Sequence, residues 1–365
     1  YCATLIGRSC FYRYGFFVNH VKLIHQIKLT KNNELFQKTT YQIMSKLSGM
    51  NQTDALMTDS FGRRITDVRV AVNSACNLRC LYCHHEGEVV NGCVHAGAGE
   101  PLTKEELIEV LTVLQALGVR TVKLTGGEPT LRTDLAEIIR AVPSGMEISL
   151  TTNGTRLKER AAELKAAGLS RVNISLDTLK RDRYEKITGR DLLPAVREGL
   201  QAALDAGLTP VKLNVVLLPG FNDDEIDDFL ELSRTNPDVI IQFIELMDVN
   251  GWGDGVFEGE RNAAFAAELE GRFSREAEAV ETRRMHHRRQ YRLSGATAEI
   301  VRPMHNLEFC ANCNRIRITS DGLLKPCLLR TGNEVSLKGK HGEELISAVA
   351  QAVANRSPYF TEEAA

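Results

Sequence analysis

The 365-residue sequence predicts an α/β fold built on a parallel sheet, and three observations lead there. Short β-branched runs alternate with helical stretches from Asp67 to Leu246. The helical stretches carry start and stop chemistry at their ends. Residues able to do chemistry recur just after the strand candidates, where the carboxyl ends of a parallel sheet place functional groups.

The strand candidates, in order, are "DVRVAVN" (67–73), "TVKLT" (121–125), "EISLTT" (147–152), "RVNISL" (171–176), "VKLNVVLL" (211–218) and "VIIQFIEL" (239–246). Between the first two lies "TKEELIEVLTVLQALG" (103–118), opened by a capping box of Thr103 and Glu106. "LKERAAELKAAG" (157–168) stops at a glycine. Repeated strand-then-helix units imply right-handed crossovers and a parallel sheet. After Leu246 the pattern changes to a Gly-rich connector, "MDVNGWGDGV" (247–256), then short strand-like pieces and a C-terminal helix near Glu343–Asn355. The expected organisation is therefore residues 57–247 as the α/β domain and 248–365 as a small α+β module.

Residues 1–49 hold seven Lys or Arg and one acid, Glu34, a balance of +6, so the remainder of the chain carries −2 − 6 = −8. This segment shows no clear period and does not begin with Met. It reads as an upstream extension, with a start at Met44, Met50 or Met57, and residues 1–56 are expected to lie outside the fold. No apolar run approaches the roughly 20 residues that span a bilayer. The nine cysteines are odd in number and clustered, which favours metal ligation in a reducing, cytoplasmic setting over a disulfide framework.

The first cluster is "CNLRCLYCHH", with Cys76, Cys80 and Cys83 spaced C-x3-C-x2-C. Zinc completed by His84 or His85, a c-type haem on "CLYCH", and an iron–sulfur cluster with one open iron all fit the residue types. Haem attachment requires export and leaves Cys76 idle. Zinc explains the thiols without explaining their place at the mouth of a parallel βα fold. A cluster with one open iron explains both, since catalysis needs a vacant coordination position. The second cluster, Cys310, Cys313 and Cys327, is spaced C-x2-C-x13-C, and zinc with His305 or another open cluster are its two readings. Arg315 and Arg317 share one face of a presumed strand beside it.

"CNLRCLYC", with Tyr82 before the third Cys, resembles the signature of radical S-adenosylmethionine (SAM) enzymes. "LTGGEPTLR" (124–132), "TTNG" (151–154), "SLD" (175–177) and "VKLN" (211–214) resemble that family's later SAM-contacting strand ends. Singly, a Gly-Gly or Asn-Gly pair is an ordinary turn; their order along the strands carries the likeness. The resemblance implies a partial (βα)6 TIM-type barrel, a 4Fe–4S cluster on Cys76, Cys80 and Cys83, and SAM contacts from Tyr82, Gly126, Gly127, Thr152, Ser175, Lys212 and Met247.

The second cluster, with "CNRIRIT" inside it, resembles the auxiliary module of the GTP 3′,8-cyclase family, from about Phe61 to Phe360. "CHHEGE" and "ANRSPYF" are most similar to its archaeal branch. That likeness implies a second 4Fe–4S cluster on Cys310, Cys313 and Cys327, and GTP contacts from Arg69, Lys123, Arg315 and Arg317. It further implies radical cyclisation of GTP in molybdenum cofactor synthesis. Flavodoxin or ferredoxin would be the electron donor, cyclic pyranopterin monophosphate synthase the next enzyme, and a homodimer is compatible with it. No G-x4-G-K-[ST] sequence occurs, so phosphates must be held by side chains. Departures from the bacterial branch are Gln242 and Lys123 in place of Arg, and the ending "YFTEEAA" in place of Gly-Gly. The run "RRMHHRRQYR" (283–292) reads either as replacement positive charge or as a solvated surface strand. A radical SAM enzyme acting on peptides usually carries more C-terminal cysteines; a zinc-binding regulatory module is the reading from outside enzymology.

Overall fold

The computed structural model describes residues 50–84, 89–90, 93–94, 100–247, 259–304 and 306–359. Helix α1 (Met50–Leu56) and strand β1 (Asp67–Ala71) begin one compact unit, Gly49–Ala365. That unit starts eight residues before the boundary expected at 57, and it includes fully buried Met57. The α/β run continues through α2 (Lys104–Ala116), β2 (Thr121–Thr125), α3 (Leu135–Ala141), β3 (Glu147–Thr152) and α4 (Leu157–Ala166). It ends with β4 (Arg171–Ser175), α5 (Arg181–Thr188), α6 (Leu193–Asp205), β5 (Val211–Leu217), α7 (Ile226–Thr235) and β6 (Val239–Glu245). All six strand candidates form strands. The capping box at Thr103 and Glu106 is made in both directions.

The C-terminal region supplies α8 (Gly259–Glu276), β7 (Ala279–Thr282), β8 (Arg289–Leu293) and β9 (Ala296–Val301). These are followed by α9 (Leu307–Ala311), β10 (Arg315–Ile318), β11 (Leu323–Lys325), β12 (Val335–Ser336) and α10 (Gly342–Ala354). Its strands do not form a sheet of their own. They join both edges of the first one, in the order β12-β11-β10-β1-β2-β3-β4-β5-β6-β9-β8-β7. β10 pairs parallel with β1 and β9 parallel with β6, while the outermost strands on each side run antiparallel. The sheet stays open, and each edge of the six-stranded run is covered, which removes two unpaired rows of backbone donors and acceptors.

The two faces of the sheet differ in chemistry. Val68, Val70, Val122, Leu124, Leu150, Val172, Ile174 and Leu213 are buried on the helix-covered side. Each is worth about 1.5–3 kcal/mol relative to exposure. The opposite face carries Arg69, Lys123, Thr151, Asn173, Lys212, Asn214 and Gln242. A closed barrel fills its inside with branched apolar side chains; these polar residues line a cavity instead. No helix among the described residues is long and apolar enough to cross a membrane.

Candidate active site

The cavity has a volume of about 810 Å³, within the range of small-molecule sites. Twelve Lys or Arg and four Asp or Glu side chains line it among the described residues, although the whole chain carries a formal charge of −2.

Cys76, Cys80 and Cys83 sit on the loop after β1, clamped from two sides. On one side Gly127 N and Glu128 N donate to Asn73 O (2.9 Å) and Ala75 O (2.7 Å). A Cβ at Gly127 would lie 2.3 Å from Ala75 O, and one at Gly126 2.4 Å from Asn73 O. Only glycine permits that approach. On the other side Arg79 N and Leu81 N donate to Thr188 O and Ile187 O at the end of α5. Tyr82 donates to the Asp177 carboxylate and packs on Ile187, Leu218 and Leu246. Asp177 also accepts from Val216 N at 2.9 Å, and burial raises its carboxyl to about 6 against those hydrogen bonds. Burial, and then the charges of Asp177, Cys83 and Cys76, drive the Cys80 thiol far up, so the three sulfurs share one electrostatic environment. A bound metal centre reverses that shift and ionises its thiols.

The second loop lies across the same cavity, with Cys310, Cys313 and Cys327 all on its wall. Buried Asp59 organises it. Asp59 pairs with Arg63 (2.7 Å) and Arg356 (3.2 Å). Arg63 Nη1 donates to Cys310 O (3.0 Å) and Pro358 O (2.9 Å), and Arg356 Nη2 donates to Cys313 O (2.8 Å). One carboxylate therefore steadies two arginines, each gripping the carbonyl of one cysteine. Among the described residues no group of three His, Cys, Asp or Glu side chains converges as a single ion would require. Cys310, Cys313 and Cys327 line the cavity, whereas the first loop reaches its lining through Tyr82 and His84 and not through Cys76, Cys80 or Cys83. A 4Fe–4S cage is wider than a single-ion site, and three thiols on each loop fit its donor set.

Between the loops three cations stand abreast. Arg317 on β10, Arg69 on β1 and Lys123 on β2 are register partners. Like charges directly opposite are destabilising unless something compensates them. Burial, and then Arg69, Arg315 and Arg171, push the Lys123 ammonium well below its ordinary range. Beside them Arg315 pairs with Asp67; burial would raise that carboxyl, but Arg315 holds it at about 2.

On the far wall Glu299 of β9 is fully buried and accepts from Lys212 (2.5 Å), Gln242 (2.7 Å) and Gln290 (2.9 Å). Burial brings the Lys212 ammonium down to about 8 despite the ion pair. Against its own burial, the Lys212 and Arg288 charges hold the Glu299 carboxyl at about 2.

Of the residues expected to touch SAM, Tyr82, Ser175, Lys212 and Met247 line the cavity; Gly126, Gly127 and Thr152 are absent from its lining. The glycines set the approach to the cysteine loop. Thr152 donates to Glu128 (2.7 Å), because the pleat turns Thr151 to the cavity and Thr152 behind it. Met247 also packs on Leu328 and Leu329 beside Cys327. Arg69, Lys123, Arg315 and Arg317, the expected GTP residues, all line the cavity. The basic run divides: Arg283, Arg284 and Arg288 face the cavity, Arg289 and Arg292 face solvent. Sequence reasoning missed Asp59, Arg63, Arg356 and Glu299; "DSFGRR" (59–64), just inside the expected α/β domain, was the one available signal for the first two. His85, Trp252, His305 and the Cys2, Cys10 and Cys93 side chains fall outside the described residues.

Comparison with known proteins places these features. Residues 70–233 match the radical SAM superfamily, and residues 239–362 match Molybdenum Cofactor Synthesis C. A probable GTP 3′,8-cyclase of Archaeoglobus fulgidus is 44% identical over 309 residues, covering 84% of this chain and 99% of that protein. One from Methanocella arvoryzae is 43% identical over 311 residues (85% and 96%), and one from Pyrococcus abyssi 42% over 317 (84% and 100%). In fold, the chain is similar to Streptococcus suis SuiB bound to S-adenosylmethionine, with TM-score 0.58, 13% identity, and coverage of 93% of this chain and 76% of that one. It is also similar to native anSMEcpe with bound AdoMet, with TM-score 0.55, 16% identity, and coverage of 78% and 81%.

Proposed function

The chain belongs to the GTP 3′,8-cyclase family of the radical SAM superfamily, and from that premise we propose how its cavity divides the work. The enzyme uses SAM and an iron–sulfur cluster to turn GTP into 3′,8-cyclo-7,8-dihydro-GTP, with 5′-deoxyadenosine and methionine as the other products. This is the first step of molybdenum cofactor synthesis.

In our reading residues 57–247 bind SAM and 248–365 complete the GTP site. Cys76, Cys80 and Cys83 hold the SAM-binding 4Fe–4S cluster, and Cys310, Cys313 and Cys327 hold a second. When bound, the first cluster supplies the electron that cleaves SAM and so starts radical chemistry on GTP. Tyr82 and Asp177 fix the first loop against β4 and β5, which keeps the cleavage site at a constant distance from the nucleotide. Ser175, Lys212 and Met247 border the SAM end. Arg69, Lys123, Arg315 and Arg317 bind the triphosphate, and so many cations in one cavity favour an anionic substrate over a neutral one of equal size. A flavodoxin or ferredoxin delivers the electron, and a cyclic pyranopterin monophosphate synthase takes the product.

The single observation that carries the GTP assignment is the row Arg317–Arg69–Lys123, three cations at one register facing a shared cavity between the cysteine loops. A row of three cations on one cavity wall attracts a polyanion. The test is anaerobic reconstitution followed by SAM, GTP and dithionite. We expect 5′-deoxyadenosine together with a cyclised GTP product. Deoxyadenosine without any GTP conversion, in a protein shown to hold both clusters, would overturn the substrate assignment.

A further inference from the structure

Arg288 ends the turn Met285–His287 that precedes β8. The turn is docked onto the second cysteine loop: His286 N donates to Asn312 O (3.0 Å), and the His286 ring stacks on Phe309 with centroids 3.8 Å apart. Arg288 is thereby held on the cavity wall. Its neighbourhood does not satisfy it. The Nε–H is enclosed and has no acceptor. Nη1 lies 3.7 Å from Glu299 Oε2, too far for a hydrogen bond. Glu299 already accepts from Lys212, Gln242 and Gln290, so it offers Arg288 charge without a contact. An enclosed guanidinium donor without a partner costs stability and is retained where a ligand supplies the acceptor.

We propose that Arg288 binds a phosphate group of the nucleotide substrate. The proposal rests on the reading of this cavity as the GTP site. A guanidinium presents its Nε–H and one Nη–H in parallel, which matches two oxygens of one phosphate. The Nε–H is the donor left open here, while Glu299 holds the group at Coulomb distance. Arg283 and Arg284 stand on the same wall, so the arriving anion meets positive charge from the turn as well as from β1, β2 and β10. Arg288 is thus an affinity-determining contact of this chain, supplied by a hairpin outside the parallel strands.

The test compares equilibrium binding of GTP and of guanosine to the anaerobically reconstituted enzyme, in wild type, R288Q, R288K and R289Q. Arg289 is exposed on the same hairpin and serves as the control. Loss of a charge-assisted phosphate contact predicts GTP binding weakened about 10- to 100-fold in R288Q. Guanosine binding should stay within about twofold, because only the phosphate contact is lost. R288K keeps a cation near Glu299 without the fork and should fall between R288Q and wild type. Unchanged GTP affinity in R288Q and R288K overturns the proposal, and so does an equal loss for guanosine or for R289Q. Wild-type enzyme that binds neither GTP nor guanosine would instead remove the cavity reading itself, a result separable from the others.

Discussion

Lys123 shows what the cavity does to a single group. Burial and three neighbouring cations depress its pKa below the ordinary lysine value, so it loses its proton at lower pH than a solvated lysine. A polyanion favours the ammonium, so the pKa rises on binding and a proton is taken up. GTP affinity should be flat at low pH, where Lys123 is already charged, and weaken as pH climbs through its free-enzyme pKa. Calorimetry in buffers of different ionisation enthalpy measures the uptake; K123R, charged throughout, should reduce it. Equal uptake in K123R would remove Lys123 as the source. Glu299 answers to acid. Its folded pKa is depressed to about 2, so its contribution is complete above the ordinary carboxylate pKa and is lost as pH falls through about 2. E299Q leaves Lys212 without its partner and should cost about 3–5 kcal/mol at neutral pH. Its stability should also change less than wild type between that ordinary pKa and about 2, both read from denaturant unfolding against pH.

At the scale of elements, the loop after β1 depends on the turn after β2. G127A places a methyl against two carbonyls, Ala75 O at 2.3 Å and Ser74 O at 2.5 Å, so the turn must retreat from the loop. We expect G127A to bind less iron on reconstitution and to lose SAM cleavage while the sheet keeps its far-ultraviolet signature. Full iron content would show that the loop is held by other means. Such local features were legible in the sequence. The strands, the capping box, both cysteine groups and the pairing of Arg315 with Arg317 on one face all follow from spacing within a few residues. Thr152 lies behind the cavity wall and Thr151 on it, because a pleat reverses with each residue, and "TTNG" offers two threonines with nothing local to choose between them. The Asp59 clamp and the Glu299 cluster were hidden for a different reason. Their partners come from distant strands, and no period in one segment records who lies opposite in another.

Across the whole molecule, both cysteine loops border one cavity, the first through Tyr82 and His84 and the second through its three cysteines, and the proposed reading gives them separate duties. C313A should lose one cluster's worth of iron, retain SAM cleavage and stop cyclisation; normal cyclisation by C313A would withdraw the second-cluster role. D59N releases both arginines from the carbonyls of Cys310 and Cys313, and we expect iron loss confined to that second loop. The row of cations has its own requirement. Arg317 reaches Arg69 and Lys123 only because β10 lies against β1, although Asp67 and its partner Arg315 are 248 residues apart in the chain. A ribosome exposes β1 long before it makes β10. Through that interval the nascent chain presents a bare parallel edge, a surface that invites association with other chains. The row of cations and the second cysteine loop come together only once β10 is made, so on the proposed reading a cluster would reach that loop late, after most of the chain has left the ribosome.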